Sequence, residues 1–316
     1  MKVRVARKVQ EASGISSFEL VSTDGAALPA FSAGSHIDVS LENGVTRQYS
    51  LCNSPEDGDR YLIAVLRDAA SRGGSQAMHE QVEEGSELEI SPPKNHFALA
   101  HPPQKSLLMA GGIGITPILC MAERLRVLGA PFDLCYAARS RASMAFRQRL
   151  EECAFASQVH FFFDEDSADS RLNVADWLER SSDDTHLYVC GPKGFMQHVL
   201  DTARHAGWPE DRLHYEFFNA EVVKSNDDGS FKVQIASTGA TIVVAKDKTV
   251  LQALAAAGIE VPTSCEQGVC GTCLTRVMKG ECDHRDMFLM DDERARNDQF
   301  LPCVSRARSE LLVLDL

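Results

Sequence analysis

The sequence has no apolar run that approaches the ~18 residues needed to cross a bilayer. Its basic N-terminal segment contains no apolar core, so a secretory signal is not expected. Basic residues are also scarce, since 32 Lys and Arg face 45 Asp and Glu for a net charge of −13. Nucleic-acid binding is therefore excluded, because it requires clustered positive charge to neutralise phosphates. The sequence predicts a cytoplasmic monomer without a membrane or nucleic-acid partner.

The histidines show none of the spacings, H-x3-H or H-E-x-x-H, that are typical of common metal sites. The chain also has no internal repeats and no low-complexity tracts. Its 44% hydrophobic and 24% charged residues are close to globular averages, which excludes wholesale disorder. At ~150 residues per domain, 316 residues predict two or three domains.

Three segments differ in their secondary-structure pattern. Residues 1–102 contain short strands between turn residues, which is typical of a small antiparallel β-barrel. Residues 103–223 alternate strands with helices and predict a doubly wound α/β domain that binds ligands at the carboxyl ends of its strands. Residues 224–316 begin with a polar, turn-rich segment, followed by two strands, a helix, a cysteine cluster and a last strand. They predict a third domain.

The chain has ten cysteines, and its length without an export signal favours thiols or metal ligands over disulfides. Four of them have the spacing C-x4-C-x2-C plus one distant cysteine: Cys265, Cys270, Cys273 and Cys303. This is the spacing of plant-type ferredoxins, in which four thiolates hold two irons. A structural zinc site is the alternative, although zinc cysteines usually come as two close pairs. Cys282 is interpreted as a bystander.

Two segments of the first domain offer the groups that a flavin phosphate and ring require. The segment Arg47–Ser50 supplies a cation, an aromatic ring and a hydroxyl on one strand. The segment Ser71–Ser75 supplies glycine amides, hydroxyls and an arginine ahead of a short helix, which predicts a phosphate nest. An ordinary strand and a flexible turn are the alternatives. The predicted flavin-binding residues are Arg47, Tyr49, Ser50, Val65, Arg72, Gly73, Gly74 and Ser75.

Two glycine-containing segments of the second domain indicate a nucleotide site. Gly111-Gly112-Ile113-Gly114 follows a strand and opens a helix, where a pyrophosphate can approach the backbone closely. It lacks the G-x-G-x-x-G spacing of the Rossmann fingerprint. Cys190-Gly191-Pro192 ends another strand, where a nicotinamide ring is expected, and simple strand–helix turns are the alternative. The predicted nucleotide-binding residues are Gly111, Gly112, Gly114, Thr116, Cys190, Gly191 and Pro192.

In the order of these motifs along essentially its full length, the chain resembles the phthalate dioxygenase reductase family of flavin iron–sulfur reductases. The resemblance implies FMN at the first pair of segments and a pyridine nucleotide at the second pair. It also implies a [2Fe-2S] cluster on the four cysteines, in a C-terminal α+β domain of the β-grasp ferredoxin type. Phe218, in a Glu-Phe-Phe segment, is implied as a cover near the flavin, with core packing as the alternative.

The resemblance further implies an oxidoreductase that takes a hydride from NADH to FMN and passes single electrons through the cluster. The acceptor is then a Rieske-type terminal oxygenase acting on an aromatic carboxylate. Ser50 is expected near flavin N5 and Cys190 near the nicotinamide. Arg139 and Arg141 follow a strand at the place where an acidic residue would bind the ribose 2′-hydroxyl of NADH. Arginines there can bind the 2′-phosphate of NADPH, so NADPH remains an alternative donor. The alternative is a stand-alone NAD(P)H-dependent flavin or ferredoxin-type reductase serving another acceptor.

Overall fold

The computed structural model describes residues 1–69, 71, 73–101, 105–167, 170–218 and 228–316. The chain divides into two units, residues 1–216 and 217–316. Within the described residues, no helix combines the length and the hydropathy needed to span a membrane.

The first unit begins with an antiparallel sheet. Along its first strand Val3 and Val5 are buried while their neighbours are exposed, as alternation requires when one face packs on a core. Seven strands and one helix form this part: β1 (Lys2–Ala12), β2 (Ile15–Ser22), β3 (Ser35–Ser40), β4 (Thr46–Ser50), β5 (Arg60–Leu66), α1 (Gly74–Glu80), β6 (Glu87–Ile90) and β7 (Lys94–Asn95).

The strand order of this sheet is β4-β3-β6-β1-β2-β5, with β7 paired to β3. An isolated antiparallel bridge between Leu51 and Ile63 connects the end of β4 to β5, the two outermost strands. Tyr49 packs against the core enclosed by the sheet. Because side chains alternate along a strand, Ser50 faces the opposite side.

One predicted strand of this sheet starts later than the sequence pattern indicated. The segment FSAGSHIDVSL predicts a strand from Phe31 to Leu41, but β3 begins at Ser35. The backbone turns at Gly34, where φ is +89° and a Cβ atom would lie 1.8 Å from the carbonyl oxygen of Phe97. This contact is made by a residue distant in the chain, so alternation alone did not reveal it.

The second part of the first unit is a parallel sheet flanked by helices. Its order is β10-β9-β8-β11-β12, and β8 is buried at every position, as is typical of a central strand covered on both faces. Its elements are β8 (Ser106–Gly111), α2 (Ile115–Leu128), β9 (Phe132–Ala138), α3 (Arg147–Glu152), β10 (Val159–Phe163), α4 (Val174–Glu179), β11 (His186–Cys190), α5 (Lys193–His205) and β12 (Leu213–Glu216). The order reverses between β8 and β11, where ligands bind in open α/β sheets.

The second unit contains a mixed sheet of order β14-β13-β19-β15-β17 and a small β16–β18 pair. The first helix of this unit begins with a capping box of Thr249 and Gln252. The side-chain oxygen of each residue accepts a hydrogen bond from the backbone N–H of the other at 3.1 Å. Its elements are β13 (Phe231–Ile235), β14 (Thr241–Val244), α6 (Val250–Ala256), β15 (Thr275–Lys279), β16 (Cys282–Asp283), α7 (Asp291–Arg296), β17 (Gln299–Phe300), β18 (Arg306–Ala307) and β19 (Leu311–Leu314). Three of the four motif cysteines lie between α6 and β15, and the fourth follows β17.

Candidate functional site

The four motif cysteines are buried and fall into two pairs. Each retains only 3–6% of its accessible surface. A hydrogen bond joins the thiols of Cys265 and Cys270, and another joins those of Cys273 and Cys303. These bonds lower the pKa of the Cys270 and Cys273 thiols and raise the pKa of their two partners. One thiol of each pair therefore ionises readily, and the thiolate is the form that binds metal.

This donor set suits a two-iron cluster better than a zinc ion. A [2Fe-2S] cluster is held by four thiolates, two at each iron, and the structure provides two thiol pairs. A zinc ion would require its ligands to converge on one point. Across the described ranges, no three His, Cys, Asp or Glu side chains are placed to hold a single metal ion. The geometry thus favours the iron–sulfur interpretation over the zinc alternative.

The loop that carries the first three cysteines requires glycine at two positions. Gly268 has φ +71°, and a Cβ atom there would lie 2.5 Å from Cγ2 of Val304. Gly271 has φ +70°, and its Cβ position lies 2.2 Å from Cζ of Phe288. Left-handed backbone and close packing both exclude larger residues here. The glycines therefore determine the shape of this loop.

The two predicted flavin segments lie in contact. Cγ of Arg47, on β4, lies 2.5 Å from the position that a Cβ atom of Gly74 would occupy at the start of α1. Gly73 precedes that helix with φ +92°, and the hydroxyl of Ser75 accepts a hydrogen bond from the backbone of Asp68 at 3.2 Å. The structure thus brings the predicted cation and the glycine segment together. The predicted residue Arg72 lies outside the described residues.

The hydroxyl of Tyr49 is buried and has no hydrogen-bond partner among the described residues. Burial also raises the pKa of this phenol well above its ordinary value. Since buried polar groups nearly always have partners, this hydroxyl fits a bound polar ligand such as FMN. Val65 differs from the others, because its side chain packs in the core and its carbonyl accepts a hydrogen bond from His79 at 2.9 Å.

The two predicted nucleotide segments also meet, at the carboxyl ends of β8 and β11. A Cβ atom on Gly114 would lie 2.2 Å from the carbonyl oxygen of Cys190, and one on Gly191 would lie 3.0 Å from Cα of Gly111. The hydroxyl of Thr116 donates a hydrogen bond to a carbonyl of the same loop, 3.1 Å away. The glycines therefore serve close packing between the two segments, in addition to any contact with a ligand.

Gly112 keeps the nucleotide loop open on one side. No described heavy atom lies within 4 Å of its Cβ position, and its φ is +52°. Tyr136 donates a hydrogen bond from its hydroxyl to the Gly112 carbonyl at 3.1 Å, which holds the loop in place. Pro192 precedes α5 and lies against Gly111. A phosphate can approach the loop backbone from the open side.

Glu216 begins the Glu-Phe-Phe segment, but the sequence did not indicate it as a site residue. It ends β12 directly beside Cys190 of β11, and Ser50 is hydrogen-bonded to its carboxyl group. Its Oε2 atom is buried without a hydrogen-bond partner in the described part of the chain. Burial raises the pKa of the carboxyl to about 8, although the Ser50 hydrogen bond opposes the shift. Ser50, Cys190 and Glu216 thus meet where the two parts of the first unit join.

Phe218 is half-buried and belongs to the second unit. Its role as a cover near the flavin stays a prediction.

Comparison with known proteins shows the family of this chain. A model of the 2Fe-2S iron–sulfur cluster binding domain matches residues 233–308, and a model of the dimethylamine monooxygenase subunit DmmA-like N-terminal domain matches residues 87–213. A vanillate O-demethylase oxidoreductase of Pseudomonas sp. is 55% identical over 96% of both chains. Phthalate dioxygenase reductase of Burkholderia cepacia is 39% identical over 100% of this chain and 97% of its own. A solved structure of phthalate dioxygenase reductase has a TM-score of 0.81 and 39% identity, covering 100% of this chain and 98% of the other.

The four-thiol centre, the flavin segments and the nucleotide loop define a flavin iron–sulfur oxidoreductase. The chain belongs to the phthalate dioxygenase reductase family. Its cofactors are accordingly FMN, a [2Fe-2S] cluster and NADH, and its activity is electron transfer as the reductase component of an oxygenase.

Proposed function

We propose that this chain is the reductase of a vanillate-type O-demethylase and that a Rieske-type terminal oxygenase is its electron acceptor. The observation that carries the proposal is the presence, in one chain, of two buried thiol pairs and of the junction of Ser50, Cys190 and Glu216. Three relatives between 48% and 55% identical are vanillate O-demethylase oxidoreductases, which supports this partner over a phthalate oxygenase.

In this proposal Arg47 and the amides and hydroxyl of Gly73, Gly74 and Ser75 hold the phosphate of FMN. Tyr49 and Ser50 bind polar atoms of its ribityl chain and ring. Bound FMN supplies the conversion between two-electron and one-electron chemistry. The four cysteines hold the cluster, and the Gly112 loop holds the dinucleotide.

The junction residues prepare the place where the nicotinamide is expected. Ser50 and Cys190 are buried, with 6% and 0% of their surface exposed, and they exclude water from that place. Glu216 remains protonated at neutral pH because burial raises its pKa. A neutral carboxyl leaves the junction without a fixed negative charge. The residues here orient ligands, and none is required as a general base.

Arg141 supports NADH over NADPH as the electron donor. It lies just beyond β9, where an arginine can accommodate the 2′-phosphate of NADPH. Its guanidinium instead makes two hydrogen bonds to Asp166, at 2.8 and 3.1 Å, and one to Glu165 at 3.1 Å. It also lies 4.2 Å from the ring centroid of Phe163. A cation already held by two carboxylates attracts a phosphate weakly.

The proposal includes three domains with the bounds 1–102, 103–223 and 224–316. The Leu51–Ile63 bridge supports a closed antiparallel barrel for the first. The parallel order of β8–β12 supports a doubly wound fold for the second, and the mixed sheet supports a β-grasp fold for the third. None of the ten cysteines forms a disulfide bond, which supports a reducing, cytoplasmic location. Size-exclusion chromatography tests the proposal that the protein is a monomer.

Replacing Arg47 by Ala is expected to weaken FMN binding about 10- to 100-fold, because a hydrogen bond to a charged group contributes about 1.5–3 kcal/mol. Quenching of FMN fluorescence on titration with the apoprotein measures the dissociation constant. Arg204→Ala is the matched control, since Arg204 lies on α5 and pairs with Glu210. An unchanged constant in Arg47→Ala would remove this residue from the phosphate site.

Replacing Glu216 by Gln is expected to flatten the pH dependence of stability of the first unit. The carboxyl has a folded pKa of about 8 against 4.5 as its ordinary value, so the folded state retains a proton that the unfolded state loses. The contribution of this carboxyl to the free energy of unfolding therefore falls by about 1 kcal/mol per pH unit as the pH rises from 4.5 to about 8, and it is level above that range. Both tryptophans, Trp177 and Trp208, lie in this unit, so their fluorescence reports its unfolding in urea. Equal pH dependence in both proteins would contradict the assignment.

Reconstitution tests the proposed function. The protein is combined with NADH and the oxygenase component of a vanillate O-demethylase, and vanillate-dependent NADH consumption is measured. We expect turnover with this oxygenase and much slower turnover with the oxygenase of a phthalate dioxygenase. If the protein reduces small acceptors but transfers electrons to neither oxygenase, the result would favour the alternative function, a stand-alone reductase.

A further inference from the structure

His36 lies directly across the β3–β4 pair from Ser50. The next pair along the ladder is hydrogen-bonded, because the Leu51 amide donates to the Ser35 carbonyl at 2.9 Å. His36 and Ser50 therefore form a non-hydrogen-bonded pair, in which facing side chains approach most closely, with Cβ atoms about 4.5–5.5 Å apart. Both are buried, at 4% and 6% exposure. The imidazole and the Ser50 hydroxyl thus share one face of the sheet.

The neighbours of His36 fix the position of its proton. Nε2 of Gln48 lies 3.0 Å from Oδ1 of Asp38 and 3.1 Å from Nε2 of His36. An amide nitrogen only donates, so Nε2 of His36 accepts and the imidazole proton lies on Nδ1. Lys94 holds the other oxygen of Asp38 at 2.7 Å. Burial, together with the nearby His96, lowers the pKa of His36 to about 4, with Asp38 opposing, so the ring is neutral.

The Nδ1 atom of His36 is buried and has no hydrogen-bond partner among the residues that the structure describes. Beyond Ser50, Oε2 of Glu216 is in the same condition. A donor and a carboxyl oxygen, both desolvated and both without a partner, therefore lie close to one hydroxyl. Such groups are rare in folded proteins unless a ligand completes them. The pair indicates that a polar edge of a ligand belongs beside Ser50.

We propose that His36 is a cofactor-binding residue whose Nδ1–H donates a hydrogen bond to a carbonyl oxygen of FMN beside Ser50. Gln48 and Asp38 are positioning residues that hold the imidazole in the tautomer required for this bond. The inference rests on the proposed function, because it takes Ser50 to lie at the reacting edge of the flavin. A carbonyl oxygen of the flavin ring gains electron density on reduction, so this donor stabilises reduced FMN more than oxidised FMN.

The test is the two-electron midpoint potential of FMN in the holoprotein, measured by anaerobic spectroelectrochemistry. In His36→Leu we expect reduced FMN to be bound about tenfold less tightly relative to oxidised FMN, which lowers the potential by about 30 mV. His36→Asn is expected to restore most of the potential, because the amide nitrogen of Asn takes the place of Nδ1. Asp38→Asn is expected to lower the potential by a smaller amount. Gln48 can then rotate, and the imidazole proton of His36 can move from Nδ1 to Nε2. An unchanged or raised potential in His36→Leu would overturn the proposal.

Two further variants separate the possible failures. His160→Asn is the control, because His160 lies on β10 beside Asp133 and its loss is expected to leave the potential unchanged. Ser50→Ala tests the site itself. If Ser50→Ala shifts the potential and His36→Leu does not, the role of His36 fails while the flavin site stands. If neither variant shifts it, the flavin site in the proposed function fails. Should His36→Leu lose FMN, Asp38→Asn is compared with His36→Asn while the ligand is retained, and a potential that is no lower in Asp38→Asn would overturn the proposal.

Discussion

Cys270→Ala is expected to abolish the iron–sulfur absorbance of the protein while leaving reduction of FMN by NADH unchanged. The pKa of the Cys270 thiol is lowered, because Cys265 donates a hydrogen bond to it. Mutation of a residue that is hydrogen-bonded to a metal ligand typically lowers metal affinity or activity 10- to 100-fold. Loss of a ligand itself is therefore expected to lower cluster binding by more than about 100-fold. NADH-dependent reduction of the oxygenase should fall by at least that factor.

Cys282→Ala is the matched control for this prediction. Cys282 is also buried, at 3% exposure, but it belongs to the hydrophobic core of the second unit. We expect its iron content and oxygenase reduction to stay within about twofold of the wild type, since burying Ala in place of Cys removes little volume. Iron analysis and stopped-flow absorbance measure both variants. A Cys270→Ala protein that keeps its cluster would contradict the ligand assignment, and loss in both variants would indicate general unfolding.

Gly114→Ala is expected to slow reduction of FMN by NADH about 100-fold. The added methyl group would lie 2.2 Å from the carbonyl oxygen of Cys190 and 2.6 Å from the amide nitrogen of Gly191. These are backbone atoms, so no side-chain rotation relieves the contact, and the two nucleotide segments must move apart. A misplacement of about 1 Å between reacting groups is enough for a loss of this size.

Gly194→Ala, in the first turn of α5, is the control for that comparison. No atom lies within 4 Å of its Cβ position and its backbone is ordinary, so we expect wild-type rates. Anaerobic stopped-flow absorbance of the flavin over a range of NADH concentrations measures both variants. Equal rates in Gly114→Ala and wild type would show that the contact between β8 and β11 does not position the nucleotide.

The sequence predicted the elements whose pattern is local. Apolar periodicity predicts a helix near Val174–Glu179 and a strand at His186–Cys190, and the structure has both elements with these bounds. The elements β15, β16, β17 and α7 were not predicted. The strands among them are short. In β15 apolar and polar residues alternate only in part, because the apolar side chain of Met278 is exposed. These strands are therefore defined by their pairing with distant strands.

The site residues also differ in whether a local sequence pattern predicts them. The cysteine spacing alone indicated the four ligands, since cluster chemistry restricts residue type and order. His36 belongs to no motif, and the Glu-Phe-Phe segment gave no role to Glu216. Both residues join the site through the β3–β4 and β11–β12 registers. The Arg141 guanidinium is likewise hydrogen-bonded to Asp166, which is 25 positions away in the sequence. Residues that act through tertiary contacts require the structure.

Anaerobic titration of the purified holoprotein with NADH, followed by visible absorbance, tests whether electrons pass from the flavin to the four-cysteine centre. If one chain carries both FMN and a [2Fe-2S] cluster in electronic contact, the flavin bands and the broad iron–sulfur absorbance will both bleach. A yellow protein whose flavin alone bleaches, with no iron present, would contradict the electron path through the four cysteines. A colourless protein that contains zinc would contradict both cofactor assignments.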